Sequence, residues 1–350
     1  LCFLPAMADA AAIENVLEFT HARWARIMPR LRRSKVQLGG KQTILCDVPN
    51  KAPLDSATRL LVMDGGRPPQ ATFLDHIVRD IEYPGIGPAD AEYQDHCLGV
   101  LSAAAFGPAN SGALRQPVCR IDCARVFDEK SFSDHRFEYF DVLVRVRNLL
   151  KDGGDKYDFA CLCCGPETPI EDGEPSAWTA VLDQVCSEIK TQLFSAAGNG
   201  GMNNREEGLA RIQPPSDGVN ITSVGSSTTV NGKSKKWRRA NYSSVGRGRR
   251  PGIVKPDFLA TGGELPGDPF YVLGPAEGTA IPKHGTSLAA PNAARIAAAI
   301  KSSLGDHISP LAIRTLMINR ADQRKMSCVE VGWGRITESA FSLTETAANE

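Results

Sequence analysis

His284-Gly285-Thr286-Ser287-Leu288-Ala289-Ala290-Pro291 runs straight into a small-residue stretch, 292–300. Glycine and threonine ahead of a serine, then alanines, describe a tight turn feeding the first turn of a buried helix. A hydroxyl there stands beside unpaired backbone N–H groups and the positive end of the helix dipole. That environment suits attack on a carbonyl and stabilisation of the resulting oxyanion. Gly-Thr-Ser alone also describes an ordinary helix cap. The longer run, with Ala290 and Pro291 in place, is far more specific, and it directs attention to partners upstream.

Residues 59–63, Arg-Leu-Leu-Val-Met, read as a buried parallel strand ending in Asp64-Gly65-Gly66. Open α/β sheets gather functional groups at the carboxyl ends of strands, which is where Asp64 falls. An isolated aspartate before two glycines is otherwise a turn residue. Further on, His96 opens a predicted helix, 96–106, so rich in small residues that it must pack closely. A lone histidine is more often structural, but the chain holds only six, and this one lies between the aspartate-tipped strand and the serine-tipped helix. In Phe194-Ser195-Ala196-Ala197-Gly198-Asn199-Gly200-Gly201, an apolar strand end meets an asparagine between glycines. Its amide is suited to donate to an oxyanion; its plainer reading is a turn asparagine.

The order Asp64, His96, Asn199, Ser287 resembles the subtilisin-like serine proteases, whose triad runs Asp…His…Ser along the chain. The resemblance spans about residue 55 to about residue 340. Val254-Lys255-Pro256-Asp257-Phe258 with Gly262-Gly263 is similar to the family's segment before the serine loop. Asn220-Ile221-Thr222-Ser223-Val224-Gly225 resembles its strand after the asparagine loop, and Gly332-Trp333-Gly334-Arg335-Ile336 its closing motif. The resemblance implies an α/β fold, a three-layer α/β/α arrangement around a central, mostly parallel sheet. It implies a serine endopeptidase with Ser287 as nucleophile, His96 as base, Asp64 orienting the imidazole and Asn199 assisting the oxyanion hole. Cys163, Cys164 and Gly165 fall on the substrate-binding strand. Cys164-Gly165 and Ala197-Gly198 line the first specificity pocket, and Gly200 stands where some relatives place an acidic residue. The chemistry implied needs no cofactor and no metal, and no carboxylate cluster is assigned to structural calcium. Arg211-Ile212-Gln213-Pro214-Pro215-Ser216-Asp217-Gly218 and Trp178-Thr179-Ala180-Val181-Leu182-Asp183 resemble a bacterial, intracellular group within the family. Some of its members are encoded beside AAA-type ATPases, so the partners implied are protein or peptide substrates and an AAA-type ATPase.

Three departures bear on function. The family usually writes His-Gly-Thr where this chain has His96-Cys97-Leu98, and the bulkier pair predicts altered packing around the imidazole. Asp64-Gly65-Gly66 replaces Asp-Ser/Thr-Gly, losing a hydroxyl near the carboxylate. Cys163-Cys164-Gly165 replaces Ser-Leu-Gly, a change that main-chain pairing with substrate tolerates. Three functional classes follow: an active endopeptidase, a catalytically impaired subtilase-like binding or regulatory protein, and an esterase or amidase of small substrates. Absence of a Gly-x-Ser-x-Gly elbow counts against a hydrolase of the last kind.

At 350 residues, 42% hydrophobic and 23% charged, the chain can bury one large core with a modest appendage. Forty basic and forty acidic side chains cancel, so no overall field favours nucleic acid or an anionic membrane. The basic runs Arg30-Leu31-Arg32-Arg33, Lys235-Lys236-Trp237-Arg238-Arg239 and Arg247-Gly248-Arg249-Arg250 read as solvated or paired surface. Ten cysteines, several in predicted strands, show no zinc spacing. Cys163 and Cys164 point to opposite faces of a strand, so no disulfide joins them. Free buried thiols suit a reducing compartment and a cytoplasmic location. The alternative is secretion, with residues 1–10 as the stump of a signal peptide. No stretch is apolar and long enough to span a membrane.

Helical spacing over 10–33 puts Ile13, Val16, Leu17, Trp24 and Ile27 on one face, and a short strand follows over 43–48. Residues 1–52 form an expected N-terminal extension and 53–350 a catalytic domain. Within the latter, strands over 60–64, 118–126, 158–164, 193–197 and 220–224 alternate with helices over 96–106, 137–150, 178–192 and from the serine onward. That alternation predicts a parallel sheet covered on both faces.

Overall fold

The computed structural model describes residues 3–32, 42–132, 138–229, 237–250 and 252–336. The apolar run around Leu60 lies in β2 (Asp55–Asp64), flanked by β5 (Cys119–Arg125) on one side and β6 (Phe159–Leu162) on the other. With β3 (Val78–Glu82), β7 (Gln192–Ala196), β8 (Thr222–Ser227) and β9 (Phe258–Thr261) they make a seven-stranded sheet in the order β3-β5-β2-β6-β7-β8-β9. Every neighbouring pair is parallel. Chain order reverses beside β2, so Asp64 at its carboxyl end faces the crevice where open α/β sheets bind ligands.

Side-chain alternation divides the core into two layers. Leu60 and Val62 of β2, with Phe159 and Cys161 of β6, meet α2 (Ala91–Phe106), α5 (Thr286–Leu304) and α6 (Pro310–Asn319). Leu61, Met63, Ala160 and Leu162 point the other way, against α3 (Glu138–Gly153) and α4 (Ala177–Glu188). Six alanines of α5, at 289, 290, 293, 294, 297 and 298, are buried, which lets that helix lie close on the sheet. A second sheet has the order β10 (Phe270–Leu273), β11 (Thr279–Lys283), β1 (Ile44–Asp47), β4 (Gly112–Ala113).

Several boundaries differ from the sequence expectation. The helix expected over 10–33 is only α1 (Ala10–Leu17), capped by the Asp9 carboxylate, and none of its residues is buried. Ile13, Val16, Leu17, Trp24 and Ile27 are exposed, so the apolar face has no core to reward a longer helix. Pro29 also disfavours helical backbone at Met28. The expected strand over 43–48 is β1, which pairs antiparallel with β11 and parallel with β4. His96 does not open its helix: α2 begins at Ala91, capped by Asp90 on the Tyr93 N–H, which puts the histidine in the second turn. Strand β6 stops at Leu162, ahead of Cys163 and Cys164, and β8 starts two residues later than expected and ends three later. Arg33 and Lys235-Lys236 of the basic runs lie outside the described residues. Other members of the basic runs are paired: Arg238 with Glu264, Arg239 with Glu330, Arg249 with Asp217 and Arg250 with Asp172.

One polar cluster ties the far edge of the large sheet together. Asp257 accepts from the Lys255 ammonium at 2.8 Å, the Arg314 guanidinium at 2.8 Å and the Ser223 N–H at 2.7 Å. Lys255 also donates to the Ile221 carbonyl at 2.7 Å. Burial pulls the Lys255 ammonium below the usual lysine range. Burial alone would raise Asp257, but Lys255 and Arg314 outweigh it and hold the carboxyl low. Asp257→Ala therefore leaves two cations uncompensated and should cost about 3–5 kcal/mol, read as a lower urea midpoint at unchanged slope. A midpoint equal to the parent's would show that the cluster does not hold this edge.

Candidate active site

Asp64, at the end of β2, is fully buried. Its Oδ1 accepts from the Gly65 N–H at 2.7 Å and lies 2.9 Å from His96 Nδ1. Its Oδ2 accepts no hydrogen bond from the described residues. Gly65 is required by close approach, because a β-carbon there would sit 2.4 Å from that of Tyr93. The first turn of α2 thus rests on the strand end, one turn before the imidazole that Asp64 holds. Lys283 of β11 grips the second turn, its ammonium 2.8 Å from the Asp95 carboxylate.

Cys97 and Leu98 do not crowd the imidazole. Both point into the core, where Cys97 Sγ lies 3.5 Å from Cys123 Sγ. The expected alteration is therefore one of core packing beneath the histidine.

Ser287 occupies the first turn of α5, with Gly285 as the helix cap, and is half-buried. A β-carbon on Gly99, three residues beyond His96, would lie 3.6 Å from the Leu288 side chain. The third turn of α2 and the first turn of α5 are therefore direct neighbours. Asn199 follows β7 in a loop, and its Oδ1 accepts from the Thr286 N–H at 3.1 Å and the Thr286 hydroxyl at 2.8 Å. Those two bonds fix which way the amide faces and turn Nδ2 outward. A β-carbon on Gly285 would lie 3.1 Å from Ser287 Oγ, 3.7 Å from Ser287 N and 3.9 Å from Asn199 Nδ2. Hydroxyl, backbone donor and amide donor thus converge on one small space that only glycine leaves open.

The expected pocket residues lie close by. Cys163 Sγ is 3.4 Å from the Ser287 carbonyl oxygen, placing the 163–165 segment beside the serine. Cys163 belongs to the core layer under α5 and Cys164 to the opposite one, as strand alternation predicts. Ala197, Gly198 and Gly200 are buried, and the Gly198 N–H donates to the Thr286 hydroxyl at 3.3 Å. Tyr93, Thr286 and the Lys283–Asp95 pair are supporting residues that sequence reasoning missed. Tyr93, three residues before His96 on the same helix face, was the one with a periodic signal.

The sequence matches the subtilase family over residues 47–334. The chain belongs to that family. Among solved structures, this subtilase is similar to the prenylagaramide maturation protease PagA, at 20% identity with a TM-score of 0.59, over 83% of this chain and 95% of that one. A lanthipeptide protease aligns at 18% identity and a TM-score of 0.61, over 82% and 88%. The epidermin leader peptide processing serine protease EpiP of Staphylococcus aureus aligns at 16% and 0.61, over 85% and 77%. No curated protein matches by sequence. The subtilase is a subtilisin-like serine endopeptidase with a seven-stranded parallel sheet between helical layers. Among the described residues, no helix is long and apolar enough to cross a membrane, and no group of acidic, histidine and cysteine side chains is placed to hold a metal ion.

All nine described cysteines are free, and all but Cys328 are buried. Burial pushes the thiols of Cys97, Cys163 and Cys164 well above the usual cysteine range, which keeps them protonated. Iodoacetamide applied to the native subtilase should alkylate Cys328, leave these three unmodified and leave peptidase activity unchanged. Inactivation accompanied by modification at Cys163 would contradict this reading.

Proposed function

We propose that this subtilase cleaves peptide bonds through Asp64, His96 and Ser287, with an acyl-enzyme on the serine. The observation that carries the reading is the convergence of Ser287 Oγ, Ser287 N and Asn199 Nδ2 over Gly285, on a helix that packs against the one whose imidazole is bonded to a buried carboxylate. Ser287 Oγ attacks the carbonyl carbon while His96 Nε2 takes its proton, later returning it to the leaving amine. Asp64 holds the Nδ1–H tautomer. The Ser287 N–H and the Asn199 amide then bind charge that exists only in the tetrahedral intermediate.

The inward course of Cys97 and Leu98 supports this reading over a catalytically impaired binding protein, since neither side chain displaces His96 from Asp64. Protein or peptide substrates are proposed as partners. The first pocket, built from Cys164, Gly165, Ala197, Gly198 and Gly200, offers no carboxylate to pair a basic side chain, so uncharged residues should precede the scissile bond.

Ser287→Ala should abolish proteolysis of casein while leaving the fold unchanged; cleavage at the parent rate would remove Ser287 from the mechanism. Asn199→Ala should lower kcat by about 10²–10³ with little change in KM, the loss that follows removal of the equivalent donor in a subtilisin. An effect confined to KM would assign Asn199 to substrate binding instead. A peptide library should show uncharged, apolar residues before the cut, and dominance of arginine there would place an acidic group in the pocket.

A further inference from the structure

His284 opens the serine turn, and the proton transfers assigned to His96 leave its side chain without a task. Its Nδ1 accepts from the Leu265 N–H at 3.0 Å, and its ring lies against that of Tyr242 with centroids 4.6 Å apart. Next along the chain, the Gly285 N–H donates to the Gly262 carbonyl at 3.0 Å. Residues 284 and 285 are thus stitched side by side onto the segment that follows β9. The two backbones meet closely: a β-carbon on Gly262 would sit 2.6 Å from the Gly285 carbonyl oxygen.

The surface they rest on is itself fixed. The buried Tyr242 hydroxyl donates to the Gly263 carbonyl at 2.7 Å and lies 2.7 Å from Ser226 Oγ of β8. On the other side of Gly285, Thr286 is bonded to Asn199. Gly285 is therefore held between two mounts, and His284 makes one of them. An acceptor at Nδ1 requires a neutral ring with its proton on Nε2. Burial lowers the His284 pKa against the opposing pull of Glu264, which keeps the ring neutral near pH 7.

We propose that His284 is a positioning residue for the oxyanion site: through its Nδ1 bond to Leu265 it sets where Gly285 and the Ser287 N–H stand relative to the Asn199 amide. The proposal rests on the proteolytic reading of Ser287. It gives this imidazole an accepting role, distinct from the proton transfer of His96, and makes its contact with Tyr242 secondary.

Two full-length variants separate the acceptor from the ring. His284→Phe keeps a flat ring against Tyr242 and loses the acceptor, whereas His284→Asn gives up the ring and keeps an acceptor at similar reach. His284→Phe should lower kcat about tenfold with little change in KM, less than outright loss of an oxyanion donor, because small misplacements already cost rate steeply. His284→Asn should bring kcat back to within about threefold of the parent. The reverse order, equal kcat in the two variants, or an effect confined to KM would overturn the proposal. The same comparison in a Ser287→Ala background is read without catalysis. Amide exchange over residues 285–289 should quicken with phenylalanine and not with asparagine; equal protection would overturn the proposal whether or not Ser287 is the nucleophile. Should the phenylalanine variant fail to fold, nitrogen NMR of Ser287→Ala near neutral pH decides. His284 should carry its proton on Nε2 alone, and an Nδ1–H tautomer or an imidazolium is the overturning result. A missing peptidase activity in the parent chain, with the exchange results as expected, would instead count against the catalytic reading alone.

Discussion

The 2.9 Å contact between Asp64 Oδ1 and His96 Nδ1 joins a strand end to the second turn of a helix, and the rest of the site depends on that junction. It exists because Gly65 lets the α2 backbone settle on the end of β2, at a spacing that any side chain would prevent. Small residues on α2 and α5 then allow the two helices to share one core layer. The carboxylate is fully buried, and one of its oxygens accepts no hydrogen bond from the described residues.

The site was legible because each element carries a short-range signal. A strand ending in Asp-Gly-Gly, a histidine amid small residues and a Gly-Thr-Ser turn before alanines each constrain local backbone. Their order along the chain then specifies how a parallel sheet brings them together. Cys97 was misleading because side-chain direction is a tertiary property: sequence showed a bulky residue beside the histidine, whereas helix geometry sends it towards Cys123. The role of Thr286 in fixing Asn199 was likewise hidden, since a side-chain acceptor 87 residues away leaves no periodic trace.

The N-terminal segment shows the limit of periodicity most plainly. Apolar residues at helical spacing over 10–33 suggested one amphipathic helix, but no core surface meets that face, and the chain leaves the helix after Leu17. What orders residues 30–32 is main-chain pairing with Gly165 and Glu167, a non-local interaction that no local pattern announces. Arg23 and Arg26, upstream of these residues, pair with Glu174 and Glu171 of the segment that follows β6.

The central claim is that Ser287 is activated by His96 held on Asp64. The most direct measurement is labelling of the full-length subtilase with a fluorophosphonate, mapped by mass spectrometry, in the parent and in Asp64→Asn. The account predicts a single phosphonylated residue, Ser287, in the parent, and labelling slowed by orders of magnitude in the variant, because asparagine stabilises the wrong imidazole tautomer. Labelling at another residue, or at Ser287 with equal rates in both proteins, would contradict it.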